Sequence, residues 1–172
     1  MLAQFTPASS TMKLALNQTF AFLHPSPAPE HVPSTDPVIT GVITLTLAKR
    51  KSIKSISVRL AKFCNLLHSD NESVSLLVRN SAPLNRSSCR YESGETTEAE
   101  VSLTSPNDEV LLEKGEHNYA FTIIIPSSLA PSEKSKHGRI FYKIVGTAKG
   151  VGFMGSYIKA EQRIIIIASP TA

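Results

Sequence analysis

Lysine and arginine side chains are the best candidates for chemistry in this sequence. Six of them fall between residues 49 and 62, namely Lys49, Arg50, Lys51, Lys54, Arg59 and Lys62. Clustered cations attract carboxylates, phosphates and acidic lipid headgroups, and each one close to an acidic membrane adds roughly 1 kcal/mol. The run is therefore a candidate contact for an acidic cargo tail or lipid. The alternative is a charged turn that serves only solubility. A second basic group comprises Lys134, Lys136, His137 and Arg139.

Other motifs point away from catalysis and cofactors. Residues 150–155 spell Gly-x-Gly-x-x-Gly, but dinucleotide binding needs a helix after the glycines and an acid about 20 residues later. A predicted strand follows instead. The five histidines are scattered without metal-ligand spacing, and no Gly-x-Ser-x-Gly elbow occurs. Asp108 and Glu109 form the only adjacent acidic pair, in a predicted turn. We expect no enzyme, no cofactor and no metal.

Composition indicates one globular domain. The chain has 172 residues, 41% of them hydrophobic and 19% charged. It contains no apolar run near the roughly 18 residues of a membrane span, and no signal peptide. The net charge is +4, yet only 6% of residues are aromatic and none is Trp, which disfavours nucleic-acid binding by base stacking. We expect a flexible leader over residues 1–12 and a folded domain over residues 13–172.

Period-two alternation of apolar residues predicts strands over most of the chain. Residues 13–23 predict a first strand with Phe20 and Phe22 inward. Residues 38–48 and 52–67 predict a hairpin closed by Lys49 to Lys51, with Gly41 at a bend or bulge. Lys54 is spaced evenly with the inward residues Ile56 and Val58, so a regular strand would turn its charge toward the core. We therefore expect either a bulge or an exposed strand end at Lys54. Residues 24–37 contain five prolines and predict a surface loop.

Shorter strands are predicted over residues 74–78, 99–103 and 110–112, with a polar and mobile stretch over residues 80–98 and a turn at residues 106–108. A Gly-rich loop is predicted over residues 148–157, followed by a last strand over residues 162–169. Its apolar run, Ile164 to Ile167, predicts burial on both faces. Almost no helical periodicity occurs. The pattern therefore predicts an all-β, immunoglobulin-like antiparallel sandwich.

The stretch from residue 113 to residue 149 combines a turn at Gly115, a strand ended by Pro126, a crossover and a second strand. The residues that define it are Gly115, His117, Phe121, Pro126, Pro131, Ser132 and Tyr142. In order and spacing they resemble the amino-terminal domain of arrestins, and above all the arrestin-related trafficking adaptors. The resemblance implies that these residues are structural, with His117 holding the turn.

The resemblance also implies a function. Arrestin-like proteins are non-enzymatic adaptors in the cytoplasm, at the plasma membrane or endosomes. They bind cytosolic tails of membrane proteins and pass them to the endocytic or ubiquitination machinery. The trafficking branch recruits ubiquitin ligases through Pro-Pro-x-Tyr motifs, which this sequence lacks, so recruitment would depend on regions outside this chain. Arrestins contain two such sandwiches, and this chain corresponds to one.

Two features of the visual and β-arrestins are missing. Their phosphate-sensing lysine pair precedes the first strand, where residues 7–12 contain no basic residue. Arg163 resembles the arginine of their inter-domain polar core, but residues 17–24 contain no acid to pair with it. Two other functions stay open: a scaffolding sandwich like the retromer cargo subunit, and a secreted carbohydrate-binding sandwich.

Overall fold

In the part of the chain that the structure describes, ten strands form two sheets. The computed structural model describes residues 9–23, 36–68, 90–105, 109–135, 138–151 and 157–168. The strands are β1 (Thr11–Leu16), β2 (Phe20–Leu23), β3 (Val38–Leu47), β4 (Lys51–His68), β5 (Arg90–Ser102), β6 (Val110–Leu112), β7 (Gly115–Ile124), β8 (Glu133–Ser135), β9 (Gly138–Gly150) and β10 (Tyr157–Ala168). In these ranges no helix is long and apolar enough to traverse a bilayer.

The small sheet has the order β1-β3-β7, and the large sheet has the order β2-β10-β9-β4-β5, with β6 added to β4 and β8 to β9. Every pair is antiparallel except β2 and β10, which run parallel. The predicted all-β sandwich is therefore confirmed, with one parallel pair that the sequence pattern did not indicate.

The core lies between the two sheets and consists of alternate residues from each strand. Its fully enclosed side chains include Ile39, Ile43, Leu45, Leu47, Ile56, Val58, Leu60, Ile123, Tyr142, Ile144, Ile164 and Ile166. In β3, β4, β7 and β9 the core side chains occur mainly at alternate positions, as the period-two pattern of apolar residues predicts. The sheets lie in close contact at Gly146, where an added Cβ would lie 2.9 Å from Ile43 Cδ1.

The predicted first strand is two strands in different sheets. β1 pairs with β3, while β2 pairs with β10. Asn17 stays on the small sheet because its N–H donates to the carbonyl of Thr40 (3.0 Å), whereas Thr19 already accepts from the N–H of Ile165 (2.9 Å). The residues between β1 and β2 shift the inward and outward alternation by one position, so even-numbered residues face the core in β1 and odd-numbered residues in β2. Ala21 is therefore buried, and the prediction that Phe20 and Phe22 point inward is wrong.

The predicted hairpin of residues 38–67 is also wrong. β3 lies between β1 and β7, whereas β4 lies between β9 and β5, so the turn at Lys49 carries the chain from one sheet to the other. Alternation identifies which side chains face the core, but it does not identify the neighbouring strand. The two strands belong to different sheets, and both contribute side chains to the core.

Gly41 marks neither a bend nor a bulge. It pairs in regular register with Leu16 on one side and Phe121 on the other. An added Cβ would lie 2.5 Å from the carbonyl oxygen of Ala15 and 2.8 Å from Cζ of Phe121. Glycine is therefore required here, because the backbone carbonyl of Ala15 and the ring of Phe121 both occupy the space of a Cβ. The expected bulge at Lys54 is present: the register with β9 shifts between Ile53 and Ser55.

The last strands extend further than predicted. β9 continues to Gly150 and β10 begins at Tyr157, so both ends of the expected Gly-rich loop belong to strands. β5 occupies residues 90–102, where a mobile stretch had been expected for most of the segment. Ile164 and Ile166 are buried, but Ile165 is 53% exposed and Ile167 36% exposed. The prediction that this run is covered on both faces is therefore wrong.

Several predicted features lie outside the described residues. They are the leader up to residue 8, most of the proline-rich segment, the strand at residues 74–78, the turn at residues 106–108, and Lys136 with His137. Within the leader, Thr11 and Met12 belong to β1, and Met12 contributes to the core.

Candidate functional site

The predicted basic run does not form one surface. Lys49 and Arg50 are exposed in the connection between β3 and β4. Arg50 Nε lies 3.0 Å from Glu113 Oε1, and both side chains are more than half exposed. An ion pair this exposed stabilises the fold by at most about 1 kcal/mol. Arg50 is therefore partly neutralised by a neighbour but remains accessible.

The remaining cations of the run are separated along β4. Lys51 lies opposite Leu112 of β6, and Lys54 is exposed at the bulge. Arg59 and Lys62 lie at positions of opposite parity, beside Val145 and Tyr142 respectively, so they lie on opposite faces of the sheet. Lys54 and Lys62 are roughly 26 Å apart at about 3.3 Å per residue. The structure does not bring the six residues together.

A different group of cations meets on the outer face of the large sheet. We call Phe63, Phe141, Arg139, Lys143 and Arg163 the cation–aromatic cluster. The rings of Phe63 and Phe141 are stacked, with centroids 4.9 Å apart and planes 9° apart. Arg163 Cζ lies 5.1 Å and Arg139 Cζ 5.3 Å from the Phe141 centroid, and Lys143 Nζ lies 5.2 Å from that of Phe63.

Strand register explains why these residues meet. Phe63 of β4 pairs directly with Phe141 of β9, and Arg163 of β10 pairs directly with Lys143 of β9. Arg139, Phe141 and Lys143 alternate along β9 and therefore share its outer face. Each cation held over a ring gains about 0.5–1 kcal/mol at an exposed site. Three neighbouring strands thus present three ordered positive charges on one face.

The cations of the cluster differ in how far they are neutralised. Lys143 Nζ lies 2.5 Å from Glu161 Oε1. Arg139 donates from Nε (3.1 Å) and Nη2 (3.2 Å) to the Asn65 amide oxygen, in the amide orientation that satisfies both partners. Among the described residues, neither Arg139 nor Arg163 forms an ion pair with a carboxylate. The planar geometry of a guanidinium group is well suited to bind an anion such as a carboxylate.

Arg59 lies on the same outer face, but its guanidinium group already has partners within the chain. Its Nη2 contacts Glu95 Oε1 at 2.5 Å, and its Nη1 donates to Thr97 Oγ1 at 3.2 Å. The described part of the chain contains no group of three His, Cys, Asp or Glu side chains that could hold a metal ion. The chemistry available at this face is reversible binding of an anion.

The motif residues of the 113–149 stretch lie along β7, in the crossover that follows it, and in β9. Gly115 has φ +134°, and His117 Nε2 donates to the carbonyl of Glu113 (2.8 Å). Phe121 is buried over Gly41, and β7 ends two residues before Pro126. Ser132, just after Pro131, donates its N–H to the carbonyl of Ile166 (2.7 Å) and accepts at Oγ from the N–H of Ile166 (3.0 Å).

Tyr142 fixes the other end of this crossover. Its ring is fully buried, and its hydroxyl donates to the carbonyl of Ala130 at 2.7 Å. Burial, then the negative charges of Glu98 and Cys64, raise the pKa of Tyr142 to about 12. Burial also raises the pKa of Tyr119. Both phenols therefore stay neutral across the physiological range and act as structural donors.

Comparison with known proteins decides the family. The family model described as arrestin (or S-antigen), N-terminal domain, matches residues 26–164. The chain belongs to the arrestin family. A general role as an adaptor or scaffold that binds other proteins follows from that membership. No curated protein sequence matches the chain.

This arrestin-family domain also resembles a solved structure. The crystal structure of Spo0M, a sporulation control protein from Bacillus subtilis, superposes with a TM-score of 0.61 at 14% sequence identity. The match covers 94% of this chain but 51% of the Spo0M chain, so the chain spans about half the length of that protein. At this identity the likeness establishes the fold alone.

Most of the cation–aromatic cluster is not predicted from the sequence. Arg139 had been grouped with the crossover loop, Arg163 had been considered only for a polar core, and Phe63 had no assigned role. The alternation of Arg139, Phe141 and Lys143 was a visible signal for an outer face. The pairing of β9 with β4 and β10 was not visible, because residues far apart in sequence form those ladders.

Proposed function

We propose that this arrestin-family domain is an adaptor module that binds acidic segments in the cytosolic parts of membrane proteins during their endocytic sorting. The observation that carries the proposal is the pair Arg139 and Arg163. Both are held over Phe141, and neither forms an ion pair with a carboxylate among the described residues. Ordered guanidinium groups bind carboxylates in a bidentate manner and lose little side-chain entropy on binding.

The basic turn of Lys49 and Arg50 is the second candidate contact. These side chains are exposed, and Arg50 forms an ion pair with the exposed Glu113. An acidic segment or an acidic lipid headgroup could displace Glu113 at small cost, because exposed ion pairs are weak. The turn lies at the start of β4, away from the cation–aromatic cluster, so the two candidates can be tested separately.

Two double variants with the same change in charge separate the candidates. Binding of a fluorescent glutamate-rich peptide, taken from a transporter or receptor tail, is measured against salt concentration for each protein. We expect Arg139→Glu with Arg163→Glu to weaken binding by about tenfold or more and to reduce the salt dependence. We expect Lys49→Glu with Arg50→Glu to weaken it less than threefold.

The outcomes are distinct. Equal weakening in both double variants means that net charge alone attracts the peptide, and the proposed site is then wrong. A larger effect of Lys49→Glu with Arg50→Glu would mean that the peptide binds at the turn instead of at the cation–aromatic cluster. Circular dichroism of each variant checks that the sandwich is intact, because all four side chains lie on the surface or at its edge.

A further inference from the structure

An apolar strip continues from the cation–aromatic cluster along the outer face of the large sheet. It consists of Phe20 and Phe22 of β2 and Ile165 and Ile167 of β10. Phe20 pairs with Ile165 and Phe22 with Ile167 in the parallel register. Their exposed fractions are 46%, 46%, 53% and 36%. Four large apolar side chains side by side on one face are a typical protein-binding patch.

The strip is aligned with the cation–aromatic cluster along β10. Glu161, Arg163, Ile165 and Ile167 alternate and share the outer face, so the strip begins one side chain after Arg163. Successive side chains on this face are about 6.6 Å apart. The surface therefore presents, in a line, one cation and then two apolar contacts at the spacing of alternate residues in an extended chain.

We propose that this line selects its partner: it binds an extended acidic segment in which a carboxylate is followed, at alternate positions, by two aliphatic or aromatic residues. This inference rests on the proposed function and specifies which acidic segments the domain binds. The carboxylate of the segment meets Arg163, and the apolar side chains cover Ile165 and Ile167 with Phe20 and Phe22 alongside. Phe20 and Phe22 are in edge-to-face contact, with centroids 5.6 Å apart, and border the strip.

The face suits a polypeptide better than a membrane. Its apolar side chains are at most 53% exposed, whereas insertion below lipid headgroups needs apolar groups that project from the surface. Glu161 and Glu95 lie among the cations and would face a uniformly negative bilayer, which is unfavourable. A peptide with its carboxylates at defined positions avoids both acids. Charge complementarity at discrete positions therefore favours the acidic segment.

The test compares two fluorescent peptides. Each carries three glutamates, followed in the first by Glu-Ser-Ile-Ser-Ile and in the second by Glu-Ser-Ser-Ser-Ser. We expect the full chain to bind the first peptide about tenfold more tightly, since burying one or two aliphatic side chains gives at least this factor. We expect Ile165→Ser to remove the preference, and Phe22→Ser to reduce it, while the second peptide binds all three proteins equally.

Ile124→Ser is the matched control. Ile124 is 56% exposed on the outer face of the small sheet, so the change has the same chemistry at a distant site. It should leave the preference intact. An unchanged preference in both Ile165→Ser and Phe22→Ser would overturn the inference. So would tighter binding to phosphatidylserine vesicles that is lost in these variants, or a dimer of the unaltered chain that dissociates in them.

The proposed function and the apolar specificity are contradicted by different results. If Arg139→Glu with Arg163→Glu leaves binding of both peptides unchanged, the proposed function fails. If that double variant abolishes binding but the isoleucine peptide has no advantage, only the apolar specificity fails.

Discussion

The hydroxyl of Tyr142 joins the core to the crossover between the sheets. It donates to the carbonyl of Ala130 (2.7 Å) from a fully buried ring. Loss of such a bond leaves a half-buried carbonyl without its donor and costs about 1 kcal/mol or slightly more. The packing of the ring itself would be kept by phenylalanine. The hydroxyl therefore makes a separable contribution to stability.

Tyr142→Phe is expected to lower the free energy of unfolding by about 1 kcal/mol near neutral pH. The folded pKa of about 12 lies above the ordinary value of 10, so the unfolded chain ionises first as pH rises. The contribution of the hydroxyl is fully present below about pH 10 and is lost as pH rises toward 12. Denaturant titrations of both proteins should show the difference shrinking over that interval. A constant difference would contradict this account.

Other single residues show what a sequence pattern can indicate. The parity of Lys54 indicated a bulge or an exposed strand end, and the register shift beside it confirms the bulge. Gly41 gave the same local signal, but its causes are the carbonyl oxygen of Ala15 and the ring of Phe121, on the two strands that flank it. A local irregularity can be found from local sequence, whereas a distant side chain that covers a glycine cannot.

The crossover before β8 is held to β10 by one residue. Ser132 exchanges two hydrogen bonds with the backbone of Ile166, just after β10 has left its ladder with β9 at the Tyr142–Ile164 pair. The serine thus continues the backbone pairing of β10 on that side. The Oγ atom is the acceptor for the N–H of Ile166, and that group is only partly accessible to water.

Ser132→Ala is expected to lower the free energy of unfolding by about 1–2 kcal/mol, because it leaves the N–H of Ile166 without an acceptor. Ser132→Thr, which keeps the hydroxyl, should recover most of the loss. Ser128→Ala, at an exposed position of the same crossover, should change stability by less than about 0.5 kcal/mol. Thermal unfolding of the three variants measures the differences. Equal effects at residues 128 and 132 would rule out the proposed bond.

For the strands, the sequence predicts which side chains face the core, but not which strands are neighbours in a sheet. The inward residues of β3, β4, β7 and β9 followed from alternation. The misplaced hairpin and the undivided first strand share one cause: short connections can join strands within a sheet or across the two layers. Between β1 and β2 the crossing is made by polar side chains. Asn17 Nδ2 donates to Thr40 Oγ1, and Gln18 Nε2 to the carbonyl of Val38.

For the whole molecule, the fold class and the family motif were predictable, while the candidate site was not. The core needs only apolar residues at the right period, and the arrestin-like motif lies in one continuous stretch. The cation–aromatic cluster and the apolar strip, by contrast, combine side chains from β2, β4, β9 and β10. Only the completed sheet brings such residues together, so the functional surface is a product of topology.

The two sheets share one core, so we expect the molecule to unfold as a unit. Ile43 of the small sheet packs against Gly146 of the large sheet. Ile43→Ala should lower the free energy of unfolding by about 2–5 kcal/mol through a cavity between the layers. Val42→Ala, its neighbour on the outer face, should cost less than about 1 kcal/mol, because Val42 is 37% exposed.

Two probes can follow this unfolding, because the sequence contains no Trp and tyrosine fluorescence is therefore visible. Tyr119 lies on the small sheet and Tyr142 on the large one. Denaturant curves from tyrosine fluorescence and far-ultraviolet circular dichroism should coincide for the unaltered chain and for Ile43→Ala, as in two-state unfolding. Separate transitions would mean that the layers are independent. The outer face would then lack the rigid support that ordered binding of an acidic segment requires, since docking on a mobile sheet adds an ordering cost.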